Sequence, residues 1–401
     1  MIKINDCIKL KITDITNLGS GVGIYQNKKI YIPKTVPNDY IISKITSINT
    51  NYIKGALKEI LEESKDRIPS LCPYYDLCGG CHFRTINLNK ENDIKYNYIK
   101  KLFKDYKVMP ITTCNENNYR NKVTLHIKNN KIGYYQENTH DLVNIHTCPL
   151  LNENINRILP TIEKLNLTNT KEIMIRYSTY YDEILIKITG NIPNIEPLKQ
   201  IPNIKSIYQE NTLIYGKSYI KEKINNIDYT IYPNAFFQVN TTMIKPLYDK
   251  VKSYATTGNN LLDLYCGTGS IGIYLKDNYK NILGIDIVKD SIKNANINKK
   301  INNIDNITFI CKDAKEVTNS AFDTVILDPP RKGLSKDVIT YLKNIKPKKI
   351  VYVSCNPNTL KRDIKLLEEI YKIEEISPFN MFPRTNHIEC VSILQRKNLE
   401  K

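Results

Sequence analysis

The sequence lacks long apolar segments. No run within its 401 residues approaches the ~18 apolar residues of a membrane-spanning helix. The first 15 residues, MIKINDCIKLKITDI, contain no uninterrupted apolar core of signal-peptide length. Internal repeats and low-complexity tails are also lacking. We therefore expect a cytoplasmic protein that is neither secreted nor membrane-inserted, with two or three domains of about 150 residues each.

Arginine is scarce, although the chain is basic. Lys and Arg total 58 against 41 Asp and Glu, which gives a net charge of +17, yet only nine of the 58 are Arg. An excess of this size favours a polyanionic partner such as nucleic acid. Because the chain is also rich in Lys, Asn and Ile, compositional drift is an equally good explanation. Charge alone therefore leaves the partner open.

Structural disulfides are not expected, although the chain has ten cysteines. A chain of this length buries several cores without cross-links, and cytosolic thiols stay reduced. Cys72, Cys78 and Cys81 follow a C-x5-C-x2-C spacing, and Cys148 is a candidate fourth member. Four thiolates suit tetrahedral zinc or an iron–sulfur cluster. The long first gap favours iron–sulfur, and it differs from the C-x3-C-x2-C of radical enzymes.

Three regions differ in their pattern. Residues 1–62 read as short, Lys-rich strands with turns, which predicts a small OB-like β-barrel of a kind that often binds RNA. Residues 63–235 hold the cysteines, a basic helical stretch and then mostly strands. From 236 to 401, strand-like and helix-like runs alternate. That alternation predicts a parallel, doubly wound α/β sheet of Rossmann-like type.

A glycine-rich turn at 261–272, LLDLYCGTGSIG, follows a predicted strand and starts a helix. Such a turn lets a ligand approach the backbone and offers free N–H groups. Asp286 ends the next strand, where a carboxylate can hydrogen-bond both ribose hydroxyls. Asp313, after the third strand, is placed to meet an adenine amino group. NAD enzymes share this logic, and Gly267, Gly269 and Gly272 match their G-x-G-x-x-G spacing. The acid that precedes the glycines, Asp263, favours S-adenosylmethionine.

Further acid and thiol groups follow the later strands. Asp328 begins an Asp-Pro-Pro-Arg turn, Cys355 ends the next strand, and Glu389 comes near the end of the chain. These groups suit one reaction. A thiolate adds to carbon 6 of uracil, carbon 5 attacks a sulfonium methyl group, and a base removes the carbon-5 proton before the thiol leaves. Cys355 is the candidate nucleophile and Glu389 the candidate base.

Five motifs give the chain its resemblance to a known family. They are FFQVN (236–240), DLYCGTGS (263–270), LDPPRKG (327–333), SCNPNTLKRD (354–363) and MFPRTNHIE (381–389). With them the chain resembles the S-adenosylmethionine-dependent RNA uracil-5 methyltransferases. The resemblance covers nearly the whole chain. It implies a TRAM-like RNA-binding barrel at 1–62, a mostly β iron–sulfur domain at 63–235 and a class I methyltransferase domain at 236–401.

The resemblance also implies roles for individual residues. Cys355 corresponds to the nucleophile and Glu389 to the base. Six positions correspond to contacts with S-adenosylmethionine: Gln238, Tyr265, Ser270, Asp286, Asp313 and Asp328. Four correspond to the ligands of a [4Fe–4S] cluster: Cys72, Cys78, Cys81 and Cys148. Residues 84–115 are expected to pack on the methyltransferase domain.

With both a barrel and a cluster, the chain resembles the branch of the family that modifies 23S rRNA. The tRNA T-loop uridine is the alternative target. We expect a monomer that binds RNA. An enzyme that methylates an exocyclic amine would need no thiol such as Cys355, and the cysteine spacing argues against a radical enzyme. A non-catalytic iron–sulfur or zinc protein that binds RNA is the rival of another class. It would tolerate Cys355→Ala.

Overall fold

A closed five-stranded barrel forms the N-terminal region of the structure, a computed structural model that describes residues 2–137, 139–318 and 321–397. The strands are β1 (Cys7–Ile15), β2 (Ser20–Tyr25), β3 (Lys28–Pro33), β4 (Tyr40–Ile48) and β5 (Tyr52–Glu62). They follow the order β1-β2-β3-β5-β4, and β4 pairs with β1 to close the barrel. Alternate residues of β1 are buried because successive side chains point to opposite faces. The predicted OB-like barrel is confirmed.

The next segment carries the clustered cysteines and one long helix. Helix α1 (Leu88–Leu102) begins at Asn87, whose side chain accepts a hydrogen bond from the Lys90 N–H, as an N-cap residue does. A short strand, β6 (Thr112–Thr113), follows the helix. In the cysteine loop the Gly79 N–H donates to the Tyr135 carbonyl at the end of the next sheet's second strand, whereas β6 pairs with a strand near the other end of the chain.

A seven-stranded sheet fills the middle of the chain. Its strands are β7 (Lys122–Lys128), β8 (Lys131–Tyr135), β9 (Leu142–Asn144), β10 (Asn169–Ser178), β11 (Glu183–Asn191), β12 (Ile204–Gln209) and β13 (Thr212–Gly216). Short helices α2 (Glu153–Asn156), α3 (Leu159–Glu163) and α4 (Glu196–Lys199) pack on one face. The strand order is β13-β12-β11-β10-β7-β8-β9. A separate hairpin of β14 (Ile220–Ile224) and β15 (Ile227–Ile231) leads out of this region.

The C-terminal region alternates helices and strands. Its helices are α5 (Thr241–Ala255), α6 (Ser270–Tyr274), α7 (Lys289–Ile301), a 3-10 turn (Ala314–Glu316), α8 (Lys336–Ile345) and α9 (Pro357–Leu367). Its strands are β16 (Gly258–Leu264), β17 (Tyr279–Asp286), β18 (Ile307–Cys311), β19 (Thr324–Leu327), β20 (Lys349–Ser354), β21 (Tyr371–Asn380) and β22 (Glu389–Arg396). Within the described ranges, no helix is long and apolar enough to cross a membrane.

The strand order of the C-terminal sheet fixes where a ligand can bind. The order is β18-β17-β16-β19-β20-β22-β21-β6, and the first five strands are parallel. The chain runs outward from β16 to β18 and then returns to β19 on the other side of β16. A doubly wound sheet of this kind opens a crevice at the carboxyl ends of its strands, where the order reverses. The predicted Rossmann-like α/β fold is therefore confirmed.

Helix α1 and strand β6 belong to this C-terminal sheet in space. Helix α1 contacts α9 and β21, and β6 adds to the edge of the sheet beside β21. The Lys95 ammonium, fully buried on α1, donates to Glu91 Oε1 and to Asn380 Oδ1 of β21, both at 2.7 Å. A buried charge needs such partners, so this network fixes α1 against the sheet.

Candidate active site

The turn after β16 combines two glycines with different uses. Gly267 and Gly269 have φ angles of +53° and +76°, and Tyr265 between β16 and the glycines is also left-handed, at +64°. A Cβ on Gly267 would meet no atom within 4 Å, whereas one on Gly269 would lie 2.5 Å from the ring of Phe309. Gly267 therefore leaves open space beside the backbone, and Gly269 permits close packing.

Two carboxylates hold this turn. Asp286, at the end of β17, accepts hydrogen bonds from the N–H of Gly267 at 3.0 Å and of Val288 at 2.8 Å. Asp263 is fully buried, and its Oδ2 accepts the Gly272 N–H at 3.0 Å while Oδ1 has no partner among the described residues. Burial, with the nearby negative charges, raises the pKa of Asp263 to about 8. The turn is thus rigid and lined with acid groups.

Three other predicted cofactor contacts make hydrogen bonds with neighbouring residues. Ser270 begins α6, and its Oγ lies 2.7 Å from the Tyr248 hydroxyl. Gln238 is buried, and its backbone carbonyl accepts a hydrogen bond from the side-chain amide of Asn121 at 3.2 Å. Asp313 turns onto its own loop, because it accepts the Lys315 N–H and lies 3.3 Å from the Lys315 ammonium. That N–H lowers the pKa of Asp313.

Cys355 and Glu389 come together because two strands pair. In the β20–β22 pair, Ser354 is opposite Cys390. Cys355 follows Ser354 and Glu389 precedes Cys390, so the same register places Cys355 opposite Glu389. Glu389 is only 7% exposed. Burial, with the nearby Asp328, raises the pKa of Glu389 to about 8. Burial, with Glu389 and Asp328, raises the pKa of the Cys355 thiol to about 11. The two predicted reactive groups therefore share one electrostatic environment.

Two basic residues of this site carried no role in the sequence predictions. The Arg331 guanidinium, after the Pro-Pro pair, lies 3.2 Å from both ring nitrogens of His387. Its positive charge opposes the rise in pKa of both Cys355 and Glu389. Burial and Arg331 lower the pKa of His387 to about 4, so this ring is neutral near pH 7. The only sequence signal for Arg331 was its place directly after Asp-Pro-Pro.

Hydrogen bonds between side chains and backbone groups fasten the loop after Cys355 to the Asp-Pro-Pro turn. The Asn356 amide donates to the Arg331 carbonyl at 3.1 Å, and the Arg362 guanidinium donates to the Lys332 carbonyl at 3.0 Å. Asp363 accepts the Leu334 N–H at 2.8 Å. The polar residues after Cys355 thus hold the Asp-Pro-Pro turn. With Cys355 and Glu389 beside it, this arrangement can add a thiol to a planar ring and move a proton.

The four clustered cysteines surround a separate cavity of about 450 Å³. Cys72, Cys78, Cys81 and Cys148 all line it, and burial raises the pKa of Cys81 to about 12. Within residues 2–137, 139–318 and 321–397, no three His, Cys, Asp or Glu side chains are arranged to hold a metal ion. The structure thus brings the predicted ligands around one space, and the cluster itself stays a prediction.

Comparison with known proteins connects this site to a family. The profile of the tRNA (uracil-5-)-methyltransferase family matches residues 87–397. An uncharacterized RNA methyltransferase of Oceanobacillus iheyensis is 32% identical over 98% of this chain and 97% of its own. One of Staphylococcus epidermidis is 31% identical over 100% of this chain and 99% of its own.

A solved structure resembles the whole architecture. The Pyrococcus abyssi tRNA (uracil-54, C5)-methyltransferase in complex with S-adenosyl-L-homocysteine superposes with a TM-score of 0.82 and 26% identity. The match covers 96% of this chain and 100% of that one. The family profile also includes every motif between 236 and 389. The chain is an enzyme that belongs to the tRNA (uracil-5-)-methyltransferase family of RNA methyltransferases.

Proposed function

We propose that this enzyme transfers a methyl group from S-adenosylmethionine to carbon 5 of a uridine in RNA. The observation that carries the proposal is the pairing of β20 with β22, which brings a thiol and a buried carboxyl group to one crevice. Covalent activation of a uracil ring needs that pair of groups at one place. Family membership supplies the substrate class.

In the proposed mechanism Cys355 is the nucleophile. Its sulfur adds to carbon 6 of uracil, which makes carbon 5 nucleophilic. S-adenosylmethionine supplies the electrophilic methyl group. Carbon 5 takes this methyl group, with S-adenosylhomocysteine as the leaving group. Glu389 then removes the proton from carbon 5, the bond between carbon 6 and sulfur breaks, and Cys355 leaves as a thiolate. The target uridine must leave its stack to reach Cys355.

The methyl donor is proposed to bind along the turn after β16. Asp286 would accept hydrogen bonds from the ribose, and the space beside Gly267 would admit the ligand. Asp313 is proposed to meet the adenine. The remaining proposed contacts are Gln238, Tyr265, Ser270 and Asp328.

The cysteine cavity is proposed to hold a [4Fe–4S] cluster with a structural role. Four thiolates form its usual ligand set, and all four cysteines line the same cavity. Such a cluster would cross-link the cysteine loop. Protein purified without oxygen should then contain about four irons per chain. Colourless protein with one zinc per chain would contradict the cluster.

The proposed RNA target is 23S rRNA, and the tRNA T-loop uridine is the second candidate. The family description and the Pyrococcus abyssi enzyme, which acts on tRNA uracil 54, favour the second. Because that enzyme matches 96% of this chain, overall architecture does not separate the two targets. We also propose a cytoplasmic monomer with domains at 1–62, 63–235 and 236–401.

Methyl transfer to unmodified total RNA tests the proposal. Labelled S-adenosylmethionine is supplied, and large-subunit rRNA, small-subunit rRNA and tRNA are then separated. We expect 5-methyluridine in large-subunit rRNA, none with Cys355→Ala, and normal activity with the control Cys7→Ala, which changes an exposed cysteine. Label in tRNA would select the second target. No label in any fraction would favour a non-catalytic RNA-binding protein.

A further inference from the structure

One face of the seven-stranded sheet carries positive charge on three adjacent strands. Lys122 of β7 is opposite Arg176 of β10, and residues paired in this way point to the same face of a sheet. Lys187 of β11 is opposite Met174, two positions from Arg176 on the same face. Arg176 thus lies on the middle strand between two lysines. We call these three residues the cationic row.

The cationic row has no acidic partner among the residues that the structure describes. Arg176 is 2% exposed, and its Nε and Nη1 atoms are buried without a hydrogen-bond partner. The Lys122 ammonium makes no hydrogen bond or ion pair within the described ranges. Burial, then the positive charges of Arg176, Arg120 and Lys187, lower the pKa of Lys122 to about 8. No carboxylate contributes to this environment.

Such an arrangement weakens the folded state. Like charges directly opposite each other destabilise a sheet, and a buried donor without a partner loses its hydration. The other face of the same sheet is apolar and packs against α2 to α4. The row is therefore a locally unfavourable arrangement of charges in this sheet, and local arrangements that cost stability are typical of functional sites.

The cationic row lies beside the segment that leads to the active-site crevice. The Lys187 ammonium donates to Asn234 Oδ1 at 2.7 Å. The Asn121 N–H, next to Lys122, donates to the Val239 carbonyl at 2.8 Å. The row therefore follows residues 234–239, which include Gln238. Lys122 also lines the cysteine cavity, whereas Arg176 and Lys187 do not. That cavity therefore accounts for one end of the row and not for the whole of it.

We propose that the cationic row binds backbone phosphates of the RNA strand next to the target uridine. Lys122 and Lys187 are half-buried and would contact the phosphates, while Arg176 adds its charge beneath them. A phosphodiester is the expected ligand because it supplies both negative charge and acceptor oxygens to these cations. The proposal rests on RNA methylation being the function and names the residues that hold the strand.

Salt-dependent RNA binding tests the proposal. Affinity for a substrate RNA fragment is measured at about five salt concentrations, from roughly 50 to roughly 400 mM. The variants are Lys122→Gln, Lys187→Gln and Arg176→Met. Losing one phosphate contact lowers the slope of log affinity against log salt by about 0.7 for a single strand and weakens binding severalfold. The control is Lys199→Gln, a lysine of similar exposure on the opposite face that is paired with Glu196. It should change neither quantity.

Thermal unfolding without RNA separates a binding role from a structural one. Removing an unpartnered charge should raise the melting temperature of Lys122→Gln and Arg176→Met, and Arg176→Lys should keep the salt slope. A lower melting temperature with an unchanged salt slope would overturn the proposal. Reduced affinity for S-adenosylmethionine with normal RNA binding would also overturn it, because the row would then bind the carboxylate of the methyl donor. Loss of iron with normal RNA binding would overturn it as well. Methyl transfer by the unaltered enzyme checks the underlying function independently.

Discussion

Burial keeps a proton on Glu389 near neutral pH. Its pKa is raised to about 8, well above that of an exposed glutamate. The carboxylate form, which can act as a base, is therefore a minority at pH 7 and grows as the pH rises. The Cys355 thiol, with a pKa raised to about 11, also starts protonated. Both groups must therefore lose a proton before they can act as nucleophile and base.

The first prediction concerns pH. Below a pKa of about 8, kcat/KM should rise up to tenfold per pH unit, because only the deprotonated base is active in the free enzyme. Above about pH 8 the profile should flatten unless Cys355 deprotonation extends the rise. Methyl transfer at low RNA concentration between pH 6 and about 9 measures this profile. A flat profile over that range would contradict a base with a raised pKa.

The second prediction concerns Glu389→Gln. Without the base, the methylated adduct keeps its carbon-5 proton and the bond to Cys355 cannot break. A covalent RNA–protein complex should therefore accumulate and survive denaturing electrophoresis, at a turnover about 10²-fold or more below normal. The control is Glu374→Gln, an exposed glutamate on β21. Full turnover without a trapped complex would remove Glu389 from the mechanism.

Motifs were enough to nominate Cys355 and Glu389 as the reactive residues, but they gave no information on the electrostatics of these two groups. Cys355 and Glu389 each follow a recognisable pattern, and their roles stay predictions that only chemistry can test. The raised pKa of each depends on burial and on Asp328, which is distant in sequence. The carboxylate of Asp313, the expected adenine contact, also accepts the Lys315 N–H of its own loop. Such local competition has no signal in the spacing of motifs.

At the scale of the element, the turn between β16 and α6 joins the fold to the proposed cofactor site. Both of its left-handed glycines were visible in the sequence. What the sequence could not show was that one borders open space and the other touches Phe309. The two positions should therefore respond differently to the same substitution.

The third prediction compares Gly267→Ala with Gly269→Ala. At Gly267 a methyl group meets no protein atom within 4 Å, so stability should fall by only about 1 kcal/mol from the positive φ, while affinity for S-adenosylmethionine falls at least tenfold. At Gly269 the methyl group would lie 2.5 Å from Phe309, so overpacking adds about 1–3 kcal/mol of destabilisation. Urea unfolding and equilibrium binding measure both effects. Equal behaviour of the two variants would contradict this assignment.

The fourth prediction concerns the buried charges of α1. Glu91 is fully buried and accepts from both Lys95 and the backbone N–H of Arg384, whose side chain is also buried. Glu91→Ala should cost about 3–5 kcal/mol, because it leaves buried cations without their partner. The exposed Glu153→Ala on α2 should stay within about 0.5 kcal/mol of normal. A Glu91→Ala protein as stable as the control would refute the role of this network.

The position of α1 could not be predicted from local pattern. Its own sequence predicts a basic helix, and its partners are α9 and β21, near the other end of the chain. The expectation that it packs on the methyltransferase domain came from family resemblance. Alternation of strands and helices, by contrast, was enough to predict the parallel sheet, because that pattern is local.

At the scale of the whole molecule, the cysteine loop is fastened to the loop that precedes Glu389. The backbone N–H of His82 donates to the Arg384 carbonyl at 2.8 Å, and the Arg384 guanidinium donates to the Phe83 carbonyl at 2.8 Å. Arg384 itself has a left-handed φ of +73° and is buried. These hydrogen bonds connect the cysteine loop to the segment that leads into the strand carrying Glu389. A cluster in that loop, as proposed, would therefore act on the structure and would have no place in the chemistry.

The central claim is that the methyl group replaces the hydrogen on carbon 5 of uracil. RNA made with uridine tritiated at carbon 5 tests it most directly, because the tritium must leave as that carbon is methylated. We expect the enzyme to release one tritium to water for each methyl group transferred from S-adenosylmethionine, and Cys355→Ala to release none. Methylation without release of tritium would place the methyl group on another atom and contradict the account.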